Sequence, residues 1–214
     1  SRKTALAKIP PLTPRIVAAG TYFDAKVSHP ERLVLELVQD GIRANPVSKA
    51  FNHAQLLPSD GKTISVLDAD GVNWNFQPKV VVNAAGPWID QVNAKLGVTT
   101  KLIGGTKGSH ILLDHPDLVA ALGGRMIYFE ADDGRICLVF DYLGKALVGS
   151  TDLRDSDPDN VICEESEIDY FLKSLAGLLP GLGFDRSQIV YAFSGIRPLP
   201  ASGGTAPGLI GRDH

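Results

Sequence analysis

Apolar positions along this chain change period repeatedly, and each change marks a new element. Residues 1–15 are basic and interrupted by Pro10, Pro11 and Pro14, which predicts an irregular lead-in, followed by a short strand near Ile16 to Phe23. Ser28-His29-Pro30-Glu31 matches a capping box, and Leu33, Val34, Leu37, Val38 and Ile42 then recur at helical spacing, with Gly41 as a candidate stop. An extended stretch around Asn45 to Phe51 leads to Ile64-Ser65-Val66-Leu67 and Val72-Asn73-Trp74-Asn75-Phe76. These flank Asp70-Gly71, a strong hairpin signal, so a small β-meander is expected over 51–78. The β-branched run Lys79-Val80-Val81-Val82 then passes through Asn83-Ala84-Ala85-Gly86 into Pro87-Trp88-Ile89-Asp90. That order predicts a strand over 79–85 that empties through a side-chain-poor turn into a helix. The helix, over 88–96, carries Trp88, Ile89, Val92 and Leu96 on one side and stops at Gly97.

From Lys101 the pattern becomes that of strands: Lys101 to Leu113, Met126 to Ala131, Ile136 to Phe140 and Ala146 to Ser150, joined through Asp133-Gly134 and Leu143-Gly144. A helix from about Glu164 to Leu179 places Ile168, Phe171, Leu172, Leu175 and Leu179 on one face, and Pro180-Gly181 closes it. A strand from Ile189 to Ile196 leads into Arg197-Pro198, and a last short strand is expected at Leu209-Ile210. The fold class is α+β or α/β: an antiparallel sheet with a flanking helix, plus a βα half preceded by the meander.

Composition narrows the function. With 214 residues, 44% hydrophobic and 21% charged, the chain has enough apolar material for one large core or two smaller ones. A net charge of -3 and no basic run argue against nucleic acid as the partner. Cys137 and Cys163 lie outside any metal-binding or disulfide pattern, so no metal site is expected and a reducing compartment is. No apolar run approaches the roughly 20 residues needed to cross a bilayer.

Three segments offer chemistry. The turn at Ala84, Ala85 and Gly86 leaves its peptide planes bare at a helix N-terminus, which suits a bulky anionic cofactor or equally an ordinary tight βα turn. Lys107-Gly108-Ser109-His110 places an ammonium and an imidazole around a glycine. A neutral imidazole can accept a hydroxyl proton, and it can equally be a satisfied strand histidine. Gly104-Gly105-Thr106-Lys107-Gly108 lacks the spacing of a phosphate-binding loop. In Ser194-Gly195-Ile196-Arg197-Pro198, Gly195 admits close approach of a ligand and Arg197 offers a planar fork for carboxylate or phosphate, or for a salt bridge. Gly149-Ser150-Thr151-Asp152 reads as a capped turn.

Taken in order, Tyr22-Phe23-Asp24 with Arg32-Leu33, Val82 to Trp88, Lys107 to His110, Val148 to Asp152, Glu164 to Ile168 and Ser194 to Leu199 resemble the FAD-dependent glycerol-3-phosphate dehydrogenases, within the D-amino-acid-oxidase-like flavoproteins. The resemblance implies oxidation of the phosphorylated polyol sn-glycerol 3-phosphate to dihydroxyacetone phosphate by hydride transfer to FAD, with quinone, or oxygen in an oxidase branch, as electron acceptor. By motif match His110 is the candidate base and Arg197 the residue that holds substrate, with Lys107 and Arg212 on the substrate side. Val47, Ala85, Gly86 and Gly195 fall on the cofactor side. Residues 1–100 would be a partial FAD-binding domain with one strand lent to the substrate domain, 101–191 the substrate sheet, and 192–214 a return to the FAD domain.

The sequence also departs from that family. There is no G-x-G-x-x-G with its strand and helix, so the resemblance implies that the pyrophosphate-binding segment precedes residue 1 and that the covering segments follow His214. The chain would then be a central fragment, inactive alone and without bound FAD. Its parent would be cytoplasmic, with peripheral attachment to the inner face of the cell membrane open. Phe140-Asp141 stands where many members have Ile-Pro, and Ser150 where Thr is common. A related flavin oxidoreductase of another small hydroxy or amino acid, or a non-catalytic binding module, are the alternatives.

Overall fold

The computed structural model describes residues 1–59, 61–202 and 210. They fall into two compact units, one made of Ser1–Tyr22 with Ile103–His214 and the other of Phe23–Leu102.

The first unit begins with helix α1 (Arg2–Lys8), where an irregular lead-in was expected. Ser1 caps it by accepting from Thr4 N–H at 3.3 Å, Ala5 is buried, and the prolines that follow prevent its extension. Residues 16–23, expected as a strand, form no ladder.

The second unit carries helix α2 (Pro30–Ala44). Its N-cap is His29 with no side-chain cap bond, so the Ser28 capping box does not form, and the helix runs past Gly41. The meander is β1 (Gln55–Leu56), β2 (Ile64–Leu67) and β3 (Asn73–Phe76), all antiparallel. Asp68 closes the hairpin by accepting from Asp70 and Val72 N–H and from the Trp74 indole. The run 79–85 is not a strand: no neighbour among the described residues offers it a ladder, and Val80 and Val82 are exposed. A 3-10 turn at Gly86–Trp88 leads into α3 (Ile89–Lys95), which ends at Gly97 in the left-handed region (φ +79°).

The remaining elements belong to the first unit: β4 (Thr106–Leu113), α4 (Pro116–Leu122), β5 (Ile127–Glu130), β6 (Ile136–Tyr142), β7 (Lys145–Gly149), β8 (Leu153–Arg154), α5 (Glu165–Leu178) and β9 (Ile189–Arg197). The six strands form one sheet in which every pairing is antiparallel. Strand β4 is its axis, paired with β9 along its whole length and with β7 and β8 on the other edge. The α+β class expected from the sequence is the class observed. Side chains alternate across the sheet, so the odd residues of β4 share one face. Ile111 and Leu113 are fully buried there with Val139, Val148, Leu118, Leu122 of α4 and Phe171, Leu175 of α5. The even residues of β4 point the other way, together with their direct partners on β9 and β7.

Candidate functional site

Register alone assembles the open face. His110 lies opposite Phe193 on β9 and Gly149 on β7; Gly108 lies opposite Gly195, and Thr106 opposite Arg197. Directly opposed residues share a face, so His110, Phe193, Gly195 and Arg197 are gathered on one surface. The glycines make that surface work by what they lack. A Cβ on Gly149 would collide with the His110 ring, and a Cβ on Gly108 would collide with the Arg197 guanidinium. At Gly195 the space is open.

The His110 ring stacks on Phe193 with centroids 5.1 Å apart and planes 9° from parallel. Its Nδ1 is buried without a hydrogen-bond partner among the described residues. Burial, and secondarily the charge of Arg197, lower its pKa to about 4, so the imidazole is neutral near pH 7. Beside Phe193, an open cleft of about 370 Å³ runs along β9 past Ile162 and Cys163.

Arg197 is locked in place. Nη1 donates to Lys107 O (3.2 Å) and Asp152 Oδ1 (3.1 Å), and Nη2 donates to Ser150 Oγ (2.8 Å) and Thr151 O (2.9 Å). The sequence suggests a fork free to grip an anion. In the structure the four Nη protons are taken up inside the protein, so what reaches a ligand is charge at a fixed point, partly offset by Asp152.

Lys107 faces the opposite way. Its ammonium, with the side chain 3% exposed, donates to Glu167 (2.9 Å), Glu164 (3.2 Å) and Ile162 O (3.1 Å) on the covered face. Burial alone would lower its pKa, but the two glutamates hold it above the ordinary value. Glu167 is equally satisfied: Oε1 accepts from Ser109 Oγ (2.8 Å) and Thr151 Oγ1 (2.6 Å), and Oε2 accepts from Lys107 and from Glu164 N–H (2.9 Å). Burial would raise its pKa, and these bonds instead hold it below the usual carboxylate range. Ser109 spends its proton on Glu167, so Ser194 is the donor in their 2.6 Å contact.

In the second unit, Asn83 holds the turn that contains Ala85 and Gly86. Its Oδ1 accepts from Ala85 N–H (3.2 Å), and its Nδ2 donates to Ile89 O (2.9 Å) and Asn93 Oδ1 (2.7 Å). Gly86 sits at φ +56° with open space where a Cβ would be. Within this unit, these bare peptide planes at the start of a helical turn suit the close approach of a ligand with anionic groups. Val47 is exposed in the turn after α2, and Arg212 lies outside the described residues. Sequence reasoning missed Gly108, Gly149, Phe193 and Glu167 as parts of the site. The period-2 alternation of β4 was the signal for Gly108 and Glu-x-x-Glu at the start of α5 the signal for Glu167, whereas Gly149 and Phe193 follow only from cross-strand register. Among the described residues no group of His, Cys, Asp or Glu is placed to hold a metal ion, and no helix is long and apolar enough to cross a membrane.

The chain is 32% identical over 211 residues to a glycerol-3-phosphate dehydrogenase of Synechocystis sp., covering 90% of this chain and 37% of that protein. It is 28% identical to the aerobic glycerol-3-phosphate dehydrogenase of Bacillus subtilis, covering 99% and 39%. The chain therefore spans about two fifths of the length of these relatives. Its fold matches the crystal structure of the glycerol-3-phosphate dehydrogenase from Bacillus halodurans complexed with FAD, with a TM-score of 0.78 and 25% identity over 94% of this chain and 41% of the other. The L-alpha-glycerophosphate oxidase of Mycoplasma pneumoniae, at 15% identity and a TM-score of 0.56, shares the fold, covering 94% of this chain and 52% of that one. A family model described as FAD dependent oxidoreductase (DAO) matches residues 1–213, and the chain belongs to that family.

Proposed function

We propose that this chain forms the substrate-facing sheet and part of the cofactor-binding region of an FAD-dependent dehydrogenase that oxidises sn-glycerol 3-phosphate to dihydroxyacetone phosphate, with quinone as electron acceptor. One observation carries the reading: a neutral imidazole and a rigidly held guanidinium share the open face of one sheet, beside the gap at Gly195. The names of the relatives support the choice of substrate.

We assign residues 101–191 to the substrate sheet, 1–100 to a partial FAD-binding region that lends it one segment, and 192–214 to a return to the FAD-binding region. Ala85, Gly86, Val47 and Gly195 are the residues that would hold FAD, which when bound supplies the hydride acceptor. The protein's own part is to orient the substrate and take its proton. Arg197 places positive charge where the substrate phosphate would sit. His110 accepts the proton of the carbon-2 hydroxyl. A base with a pKa of about 4 is weak, but an anionic substrate beside Arg197 cancels part of the charge that depresses it, so substrate binding raises the basicity of His110. Lys107, committed to Glu167 and Glu164, acts on the framework rather than on substrate, and Arg212 adds a second substrate-side charge.

The test is anaerobic stopped-flow reduction of the flavin in the full-length protein by sn-glycerol 3-phosphate, lactate, 2-hydroxyglutarate and amino acids. Rapid bleaching by sn-glycerol 3-phosphate alone is the expected result. Faster bleaching by a carboxylate substrate would reassign the enzyme to another member of the flavin oxidoreductases.

A further inference from the structure

The contacts that hold Arg197 run through the sheet and close on themselves. Arg197 Nη1 donates to the carbonyl of Lys107, whose ammonium pairs with Glu167 on the covered face. Glu167 accepts from the Thr151 hydroxyl, and the carbonyl of that same Thr151 accepts from Arg197 Nη2. Thr151 is thus held on both sides: its side chain is anchored in the buried polar cluster, where it also accepts from Ser109 N–H at 2.9 Å, and its backbone faces the open side.

Residues 150–152 lie between β7 and β8, outside any ladder, and supply three of the four acceptors that the Nη groups of Arg197 use. The Thr151 side chain, 2% exposed as a residue, ties the middle of this loop to the buried polar cluster on the covered face. We propose that Glu167, acting through Thr151, is a positioning residue: it fixes the loop that aims the Arg197 guanidinium, and so sets where the anionic group of the substrate is held. Glu167 is itself rigid, placed in the first turn of α5 with every oxygen bonded. The inference deepens the function proposed above and rests on it.

The test uses the full-length protein loaded with FAD. Thr151→Val removes the hydroxyl at nearly constant volume, and Thr151→Ser restores it. Thr151→Val should raise KM for sn-glycerol 3-phosphate about tenfold, with a smaller change in kcat and unchanged FAD content, and Thr151→Ser should stay within about twofold of the parent. In an Arg197→Ala background the Thr151→Val effect should vanish, because the residue it positions is gone. An undiminished effect in that background would overturn the inference, as would a normal KM for Thr151→Val beside a raised KM for Arg197→Ala.

A second readout needs no substrate. Arg197 lowers the pKa of His110, so a displaced guanidinium should let the imidazole titrate higher, measured by NMR of histidine-labelled protein. If Arg197→Ala leaves KM unchanged but Thr151→Val still shifts His110, the substrate assignment fails and the positioning role stands. An unmoved His110 in Thr151→Val rejects the positioning role. Should Thr151→Val fail to fold, Glu167→Gln, which keeps the shape and removes the charge, is read by the same titration with the same two outcomes.

Discussion

On the covered face of the β4–β9 pair, Lys107 spends its protons on two glutamates and a carbonyl; on the open face, Arg197 meets one aspartate and three neutral oxygens. Both cations are held tightly, but to different effect. Two carboxylates outnumber the charge of Lys107, so it serves the framework. Arg197, paired with Asp152, adds to the burial that depresses the pKa of His110, and it retains a partly exposed side chain, 25% against 3% for Lys107. A charge within reach of solvent can act on a ligand, whereas one enclosed by carboxylates acts on its own framework.

Breaking the covered side should cost most. Glu167→Ala leaves Lys107 buried with a weakened partner set and strands the hydroxyls of Ser109 and Thr151; a loss of about 3–5 kcal/mol in chemical denaturation is expected. A loss below about 1 kcal/mol would show that water reaches the network and that the two faces are less different than their burial indicates.

On the open side, if His110 is the base proposed above, His110→Gln in the full-length protein should slow flavin reduction roughly 100-fold with little change in substrate affinity. A rate within about threefold of the parent from about pH 6 to 9 would return His110 to a structural role. Acid should then separate the faces. His110 has a folded-state pKa of about 4 against an ordinary 6.5, so within that interval the unfolded chain binds a proton that the folded chain does not. Stability therefore falls as pH drops from 6.5 towards 4, by at most about 3 kcal/mol. Glu167, depressed from 4.5, contributes stability that is present above that value and lost as pH falls through its folded-state pKa. His110→Gln should flatten the limb between 6.5 and 4 and leave the more acidic limb, a difference read from urea midpoints at a series of pH values.

The glycines provide the finest contrast. Gly149→Ala drives a methyl into the His110 ring and should cost about 1–3 kcal/mol, whereas Gly195→Ala meets nothing and should change stability by less than about 0.5 kcal/mol. If Gly195 lies against the cofactor, its substitution should nonetheless weaken FAD retention by the full-length protein, measured by flavin release on dilution.

Much of this was legible in the sequence. The helical spacing of Leu33 to Ile42, the Asp70-Gly71 hairpin, and the helix bearing Phe171 and Leu175 all lie where local pattern predicts; the last buries its apolar face, whereas α2 leaves its apolar stripe exposed. The strand over 79–85 was misread because β-branched composition describes a strand's side chains and not the neighbour its backbone needs. His110 and Arg197 were visible as residue types. Their sharing of a face was not, since it depends on the register of β4 with β9, a pairing 76 to 91 residues apart along the chain that no local window contains. Lys107, three residues before His110, looked like part of the same cluster, and the alternation of the strand sends it to the other side.

That alternation also gives β4 an evolutionary grammar. Its odd positions pack the covered face and its even positions lie on the face of His110, yet the two sets are not equally free, because Gly108 must stay bare for the Arg197 guanidinium. Under the proposed function, variation for altered substrate preference belongs at Leu112 of β4 and at the odd positions of β9 before Arg197. A library built on that comb would sample the open face while sparing the charges that keep the sheet together.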